Sequence, residues 1–235
     1  MSQHIWYPDA ARIEQANITR LMRRAGEHID ANDARAVAQT TRAFVRRSQV
    51  DPEWFWPLAL DDMRLAWYRR FERVLDLSPG VEWADWFVGG VTNIVLNCVD
   101  RHATGHLAAR IALIAETEDG GVRQFTFAEL AAHVDRTANA LKSLGVGHQD
   151  TVACYMPMVA EVVFAMLASQ KLGAIFVPIF SGYAPAAVRE RLADADVKVL
   201  FTADGSLRRG QPFSIKTPAD EAAVGLSALR VRRAA

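Results

Sequence analysis

The chain has 235 residues, enough for one large domain or a domain with an attached subdomain. Residues of the AVILMFWYC set make up 51% and charged residues 23%, which excludes a disordered, collagen-like or low-complexity chain. Lys plus Arg (27) cancels Asp plus Glu (27), so no overall basic field gathers nucleic acid or an anionic membrane, and a charged ligand has to be met locally.

The first hundred residues read as helices and loops. Ile13, Leu21, Met22, Ala25 and Ile29 fall near helical spacing behind Asp9, an N-cap residue type, and Asp51-Pro52 pairs a cap with proline at the first helical position. Trp54, Phe55, Trp56, Trp67, Tyr68, Trp83, Trp86 and Phe87 crowd into this part and are expected to fasten one layer to another rather than to box a cofactor. Gly89-Gly90 breaks the chain before a short helix over 92–102, with Ile94, Val95, Cys98 and Val99 on its apolar side. The expected division is a helical, aromatic-rich region over 1–105 and an α/β subdomain over 106–235.

From Arg110 the pattern changes. Ile111-Ala-Leu-Ile114, the turn residues Asp119-Gly120-Gly121 and Val122 to Phe125 predict a hairpin. Thr126-Phe-Ala-Glu129 is a capping box, followed by Leu130, Val134, Ala138, Leu141 and Leu144 at helical spacing and closed by Gly145. The stretch 151–203 alternates strand and helix. Strands are predicted over 151–156, 174–179 and 197–201, with one helix over 159–171 (Val162, Val163, Met166 and Ala165 or Ser169 inward) and another from Pro185 carrying Val188 and Leu192. This βαβαβ order predicts parallel strands joined by right-handed crossovers, hence an α/β fold behind the helical leader.

The longest uncharged run, from Leu172 to Val188, is interrupted by Pro178, Gly182 and Pro185, whose freed backbone groups lipid would leave unsatisfied; it reads as buried core, not a membrane span. Cys98 and Cys154 lie in apolar stretches and form no disulfide framework. No export signal is visible at Met1-Ser-Gln-His-Ile-Trp-Tyr-Pro8, so a cytoplasmic protein is expected.

Ligands of open α/β sheets gather at the carboxyl ends of the strands. Three loops leave that edge: Met156-Pro157-Met158, Phe180-Ser181-Gly182-Tyr183, and the stretch 202–210 with Arg208-Arg209-Gly210. Gly182 would let a ligand approach backbone, Tyr183 or Phe180 would lie against a flat ring, and Arg208 with Arg209 would meet phosphate or carboxylate. The same residues also suit a plain turn and a solvated arginine pair. Other motifs fail: Gly145 and Gly147 precede a strand and lack a third glycine, and there is no G-x-x-x-x-G-K-[ST] or G-x-S-x-G. His102 and His106 are separated by Gly105 and have no companion ligands nearby in sequence, so no metal site is expected. Glu161 and Asp194 read as solvated charge.

The stretch from Trp83 to Ala103, written Val-Glu-Trp-Ala-Asp-Trp-Phe-Val-Gly-Gly-Val-Thr-Asn-Ile-Val-Leu-Asn-Cys-Val-Asp-Arg-His-Ala from Val81, resembles the AMP-forming acyl-CoA synthetases of the acetyl- and acetoacetyl-CoA synthetase type. Four further stretches match that family in its order: Phe125-Thr-Phe-Ala-Glu-Leu130, Val152-Ala-Cys-Tyr-Met-Pro-Met158, Lys171-Leu-Gly-Ala-Ile-Phe-Val-Pro178 and Phe201-Thr-Ala-Asp-Gly-Ser-Leu-Arg-Arg-Gly210. Trp6-Tyr-Pro8, Asn17-Ile-Thr-Arg20 and Asp51-Pro-Glu-Trp-Phe-Trp56 are similar to the family's leader. The resemblance implies part of the large N-terminal domain of the adenylate-forming fold. It implies an acid–CoA ligase acting on a small carboxylate, with ATP, Mg and coenzyme A, through an acyl-adenylate. It also implies coenzyme A contacts at Gly182 and Arg208, while the family's second arginine is replaced by Gln211, leaving Arg209 as the alternative, and Ser181 replaces the loop's usual first glycine.

The family's phosphate loop with its lysine, its adenine and ribose motifs, acyl pocket and mobile C-terminal domain are not found in these 235 residues, and Lys142, Lys171, Lys198 and Lys216 stand in no glycine-rich loop. An N-terminal fragment, inactive by itself, is the expectation; the alternative is a non-catalytic module that binds coenzyme A or a nucleotide, or a partner protein along an unfinished sheet edge. The isolated chain is expected to show no ATP–pyrophosphate exchange with acetate, propionate or acetoacetate, and exchange above a blank would contradict this.

Overall fold

The computed structural model describes residues 8–226 and 229–233, so Trp6 and Tyr7 of the leader motif and the final two alanines lie outside the described residues. The chain separates into two units, the first ending at Thr92 and the second beginning at Asn93.

In the first unit Asp9 accepts the Arg12 N–H at 2.8 Å and starts α1 (Ala10–Gln15). At Ala16 the backbone becomes extended (φ −69°, ψ 135°) and α2 (Asn17–Arg24) begins, so the single helix expected behind Asp9 is two. Helices α3 (Ala34–Val50) and α4 (Pro52–Asp62) follow. Asp51 caps α4 through the Trp54 N–H at 3.1 Å, with Pro52 in the first turn where its missing N–H costs nothing. Ile13, Met22, Ile29 and Phe44 form the buried centre. Most of the aromatic side chains lock these elements to each other, Phe44 meeting Trp54 edge-on at 5.2 Å and Trp56 meeting Phe87 at 5.8 Å, whereas Tyr68 and Trp83, expected to fasten layers, are exposed. Phe87 lies on β2 (Asp85–Val88), antiparallel to β1 (Arg73–Asp76).

The second unit opens with α5 (Ile94–Cys98), capped by Asn93, whose side-chain oxygen accepts the Val95 N–H at 2.9 Å. This helix is shorter than expected, and only Val95 and Val99 of its apolar set are buried, while Ile94 and Cys98 are exposed. Val95 and Val99 belong to the core of the second unit, which is why the stretch 93–105, grouped with the leader on sequence grounds, packs with the α/β part.

The expected hairpin forms from β3 (Ile111–Glu116) and β4 (Val122–Thr126). Helix α6 (Phe127–Ser143) starts at the capping box: Thr126 Oγ1 accepts the Glu129 N–H at 3.2 Å, and Glu129 accepts the Thr126 N–H at 2.8 Å. Leu130, Val134, Ala138, Leu141 and Leu144 are buried, and Gly145 ends the helix at φ +80°.

The sheet that follows is fully parallel. Its strands are β5 (Thr151–Tyr155), β6 (Ile175–Ile179), β7 (Val197–Thr202) and β10 (Arg230–Arg233), in spatial order β10-β7-β5-β6, with α7 (Ala160–Lys171) joining β5 to β6 and α8 (Pro185–Asp194) joining β6 to β7. Between β7 and β10 lie a hairpin, β8 (Gly205–Arg208) with β9 (Gln211–Ser214), and α9 (Lys216–Ala223). Because the connection reverses direction after β6, right-handed crossovers put α7 and α8 on opposite faces. Val152 and Val199 pack with Val134, Leu141, Phe164 and Leu167 on one face; Ala153, Tyr155 and Leu200 pack with Val188, Leu192, Ile215 and Ala219 on the other. Pro178 is tolerated because β6 is an edge strand.

Two expectations for this part need correction. The inward side of α7 is Phe164, Ala165, Leu167, Ala168 and Ser169, with Val162, Val163 and Met166 only half-buried, because packing on several sides spreads burial around the helix. Glu161 is not simply solvated: it accepts from Arg123 at 2.7 Å and ties α7 to β4. No helix of the described residues is long and apolar enough to cross a membrane.

His133 stacks on Phe164 (4.4 Å between ring centres, 13° between planes) and meets Phe125 edge-on at 5.4 Å. Burial, then the nearby Arg136 and Arg123, hold its pKa below the ordinary 6.5, against the opposite pull of Glu161 and Glu129. The unfolded chain therefore binds this proton more readily, so the contribution of His133 to stability is present above about pH 6.5 and is lost as pH falls below it. His133→Phe is expected to reduce the fall in Tm between about pH 7 and pH 5, as read by thermal melts; an unchanged pH profile would contradict this.

Candidate functional site

Strand β5 is central to the site because both neighbours pair with it: Tyr155 lies opposite Ile179 of β6 and Thr202 of β7. The three strands therefore end level, and their loops emerge side by side. The strand order reverses at β5, so the β5/β7 boundary is the place where parallel α/β sheets open a crevice.

A recess of about 200 Å³ lies there, lined by Pro157 and Met158 after β5, Phe180, Ser181 and Gly182 after β6, and Ser206, Leu207 and Arg208 after β7. It is smaller than the roughly 300–1,000 Å³ of a pocket that encloses a whole small ligand, so it suits one part of an elongated molecule. A neighbouring recess of about 430 Å³ shares Pro157, Met158, Ser206 and Leu207 and is bounded on its far side by 116–119 of the β3–β4 turn. A separate groove of about 390 Å³ in the first unit is apolar along Ile13, Ile18 and Val37 and has no comparable convergence of strand ends.

Each expected residue has a definite place. Phe180 is 63% exposed and lines the smaller recess, with its ring folded over Gly182. A Cβ at position 182 would lie 2.6 Å from Phe180 Cε1, so any other residue there must push the ring aside. Tyr183 does not line the recess: its ring meets the edge of Phe180 at 5.6 Å and carries the Arg191 guanidinium at 4.5 Å. Arg208 lines the recess; Arg209 does not. The stretch 202–210, read as a loop, contains β8, and Arg209 (φ +54°) with Gly210 (φ +72°) forms the two-residue turn between Arg208 and Gln211, which face each other across the hairpin.

Two site residues had no sequence signal. Tyr155, 1% exposed at the end of β5, donates its hydroxyl to the Tyr183 carbonyl at 2.9 Å and so fixes the Phe180–Tyr183 loop; burial raises its pKa and keeps the phenol protonated. Glu118 accepts the Gly210 N–H at 2.7 Å across 92 positions of chain. By contrast, burial pushes the Cys154 thiol up to about 12, leaving an inert core group. Lys171 is held by Asp100 (2.9 Å) and Asp135, and Lys198 by Asp150 (2.9 Å), so both lysines serve the fold. Among the described residues no three His, Cys, Asp or Glu side chains converge as metal ligands.

With this geometry established, comparison with known proteins gives consistent results. The AMP-binding enzyme family matches residues 99–232, and the acetyl-coenzyme A synthetase N-terminus matches residues 41–98. The chain belongs to the AMP-binding enzyme family. It is similar to acetyl-coenzyme A synthetase of Deinococcus radiodurans, 43% identical over 76% of this chain and 27% of that protein. It is also similar to the acetyl-coenzyme A synthetase of Mycobacterium tuberculosis, 44% identical over 75% of this chain and 27% of that protein. Among solved structures, acetoacetyl-CoA synthetase from Streptomyces lividans superposes with a TM-score of 0.85 at 30% identity, over 99% of this chain and 35% of that one. The chain thus spans about a quarter of the length of these curated relatives.

Tyr155→Phe removes one hydroxyl and is expected to cost about 1 kcal/mol, the net worth of a typical hydrogen bond. Amide exchange should quicken at 180–183 and stay slow in β5 and β7. Unchanged exchange at 180–183 would show that the tether does not hold the loop.

Proposed function

We propose that this chain is the front portion of an AMP-forming acid–CoA ligase and that its sheet edge is where coenzyme A is held. In the proposed reaction, a small carboxylate attacks ATP to give an acyl-adenylate and pyrophosphate, and the coenzyme A thiol then displaces AMP to give the thioester. The observation that carries the reading is the convergence of Phe180, Gly182 and Arg208 in one recess at the end of three parallel strands, in a chain similar to acetyl- and acetoacetyl-coenzyme A synthetases.

The roles follow from side-chain chemistry. Arg208 supplies a planar, permanently charged fork that meets a coenzyme A phosphate by charge-assisted hydrogen bonds. Gly182, without a side chain, lets the ring of Phe180 approach its backbone closely, and that ring offers an apolar face to the ligand's flat base. Tyr183, held between Phe180 and Arg191, backs Phe180 rather than touching ligand. Gln211 offers no charge where the resemblance calls for a second arginine, and Arg209, in the turn beside it, is the remaining cation. ATP, Mg and the acyl group are assigned to no residue of this chain. A cytoplasmic setting, with Cys98 and Cys154 free, belongs to the same reading.

A thermal-shift and calorimetric titration with coenzyme A tests it. Coenzyme A is expected to raise Tm, ATP with acetate is not, and Arg208→Ala should weaken coenzyme A binding about 10- to 100-fold, the loss expected for a hydrogen bond to a charged group. No response of the wild-type chain to coenzyme A would overturn the assignment.

A further inference from the structure

A carboxylate lines the recess that adjoins the one proposed for an anionic ligand. Glu118 lies in the turn between β3 and β4, and its Oε1 accepts the Gly210 N–H at 2.7 Å, next to Arg208 and Arg209. Near a phosphate site a negative side chain works against binding through Coulomb repulsion, so its placement calls for a compensating role.

The β8–β9 turn supplies one. A two-residue hairpin turn with both residues at positive φ favours Asn or Gly at its first position, and here that position is Arg209 at φ +54°, a left-handed conformation that is unfavourable for a residue carrying a Cβ. The N–H of the second turn residue, Gly210, lies outside the ladder, in which Arg208 pairs with Gln211. Glu118 takes that N–H as a charge-assisted hydrogen bond, stronger than a neutral one. The turn that carries Glu118 is itself fixed: Thr117 N–H donates to Gly121 O at 2.9 Å, Gly120 N–H donates to Thr117 O at 2.9 Å, and the Thr117 hydroxyl donates to Asp119. A strained, arginine-bearing turn is thereby anchored to a rigid neighbour.

We infer that Glu118 is a positioning residue for coenzyme A, holding the Arg209-Gly210 turn so that Arg208 faces the recess. This rests on the coenzyme A reading of the recess. Glu118 touches no ligand; it acts through the backbone of Gly210.

The test compares the wild-type 235-residue chain with Glu118→Ala and Glu118→Gln. For each, coenzyme A affinity is measured across a series of salt concentrations, with amide exchange at Gly210 and in β5. Glu118→Ala should expose the Gly210 amide to exchange while β5 stays protected. It should weaken coenzyme A about tenfold and flatten the salt dependence of binding, because a misplaced guanidinium no longer contributes a screened contact. Glu118→Gln keeps the acceptor oxygen and should retain both Gly210 protection and affinity within about threefold. General destabilisation would lower affinity equally at every salt concentration and expose β5 as well, and that result contradicts a positioning role. Faster exchange at Gly210 with unchanged coenzyme A affinity and salt slope sinks the inference and leaves the site reading intact. Absence of coenzyme A binding by the wild-type chain sinks the site reading, and the inference with it.

Discussion

The parallel pairing of β5 with β6 on one side and β7 on the other is the constraint from which the candidate site follows. A parallel pair cannot be closed by a tight turn; it needs a crossover, and the crossover has one hand. Once the chain steps from β5 to β6 and then back past β5 to β7, α7 and α8 must cover opposite faces, and the alternate side chains of β5 divide between two cores: Val152 to one, Ala153 and Tyr155 to the other. That division fixes the register, since a slip by one residue would exchange the two sets. With register fixed, Tyr155, Ile179 and Thr202 end the three strands together, and the loops that leave them have to share one edge.

The loops are less regular than the strands, and each is held by a contact that reaches outside it. The loop after β6 is held from below by the Tyr155 hydroxyl and shaped by the packing of Phe180 over Gly182. The hairpin after β7 carries an arginine in a left-handed conformation and is held from the side by Glu118. Precision at this edge therefore depends on the buried phenol of the central strand and on a carboxylate from a separate hairpin, neither of which has to contact a ligand. The first unit is organised differently, by helix packing and edge-on aromatic contacts, and among its described residues there is no equivalent meeting of strand ends.

Much of the scaffold was legible because its signals are local. The Thr126–Glu129 capping box, the buried series from Leu130 to Leu144 and the glycine at 145 each satisfy a requirement within a few residues, and the alternation of apolar runs with helical spacing was enough to give the βαβαβ order. Features set by distant chain were not legible. The break between α1 and α2 at Ala16 has no proline or glycine to announce it. The burial of Phe164 and Ala168 in place of Val162 and Met166 depends on which neighbours surround α7. The β8–β9 hairpin was hidden by polar residues that read as loop, although Arg208-Arg209-Gly210-Gln211 contains the glycine of a tight turn. Of the named site residues, Phe180, Gly182 and Arg208 come together in the recess, whereas Tyr183 and Arg209 do not line it; Tyr155 and Glu118 are tied to their partners across gaps of 28 and 92 positions that no local pattern encodes.

The most direct measurement is a coenzyme A titration of the isotopically labelled chain followed by the amide resonances. If the parallel strands deliver their loops to one binding edge, a single saturable set of shifts should appear jointly at 157–158, 180–183 and 206–210. Shifts confined to one of these loops, or gathered in the apolar groove of the first unit, would contradict the account.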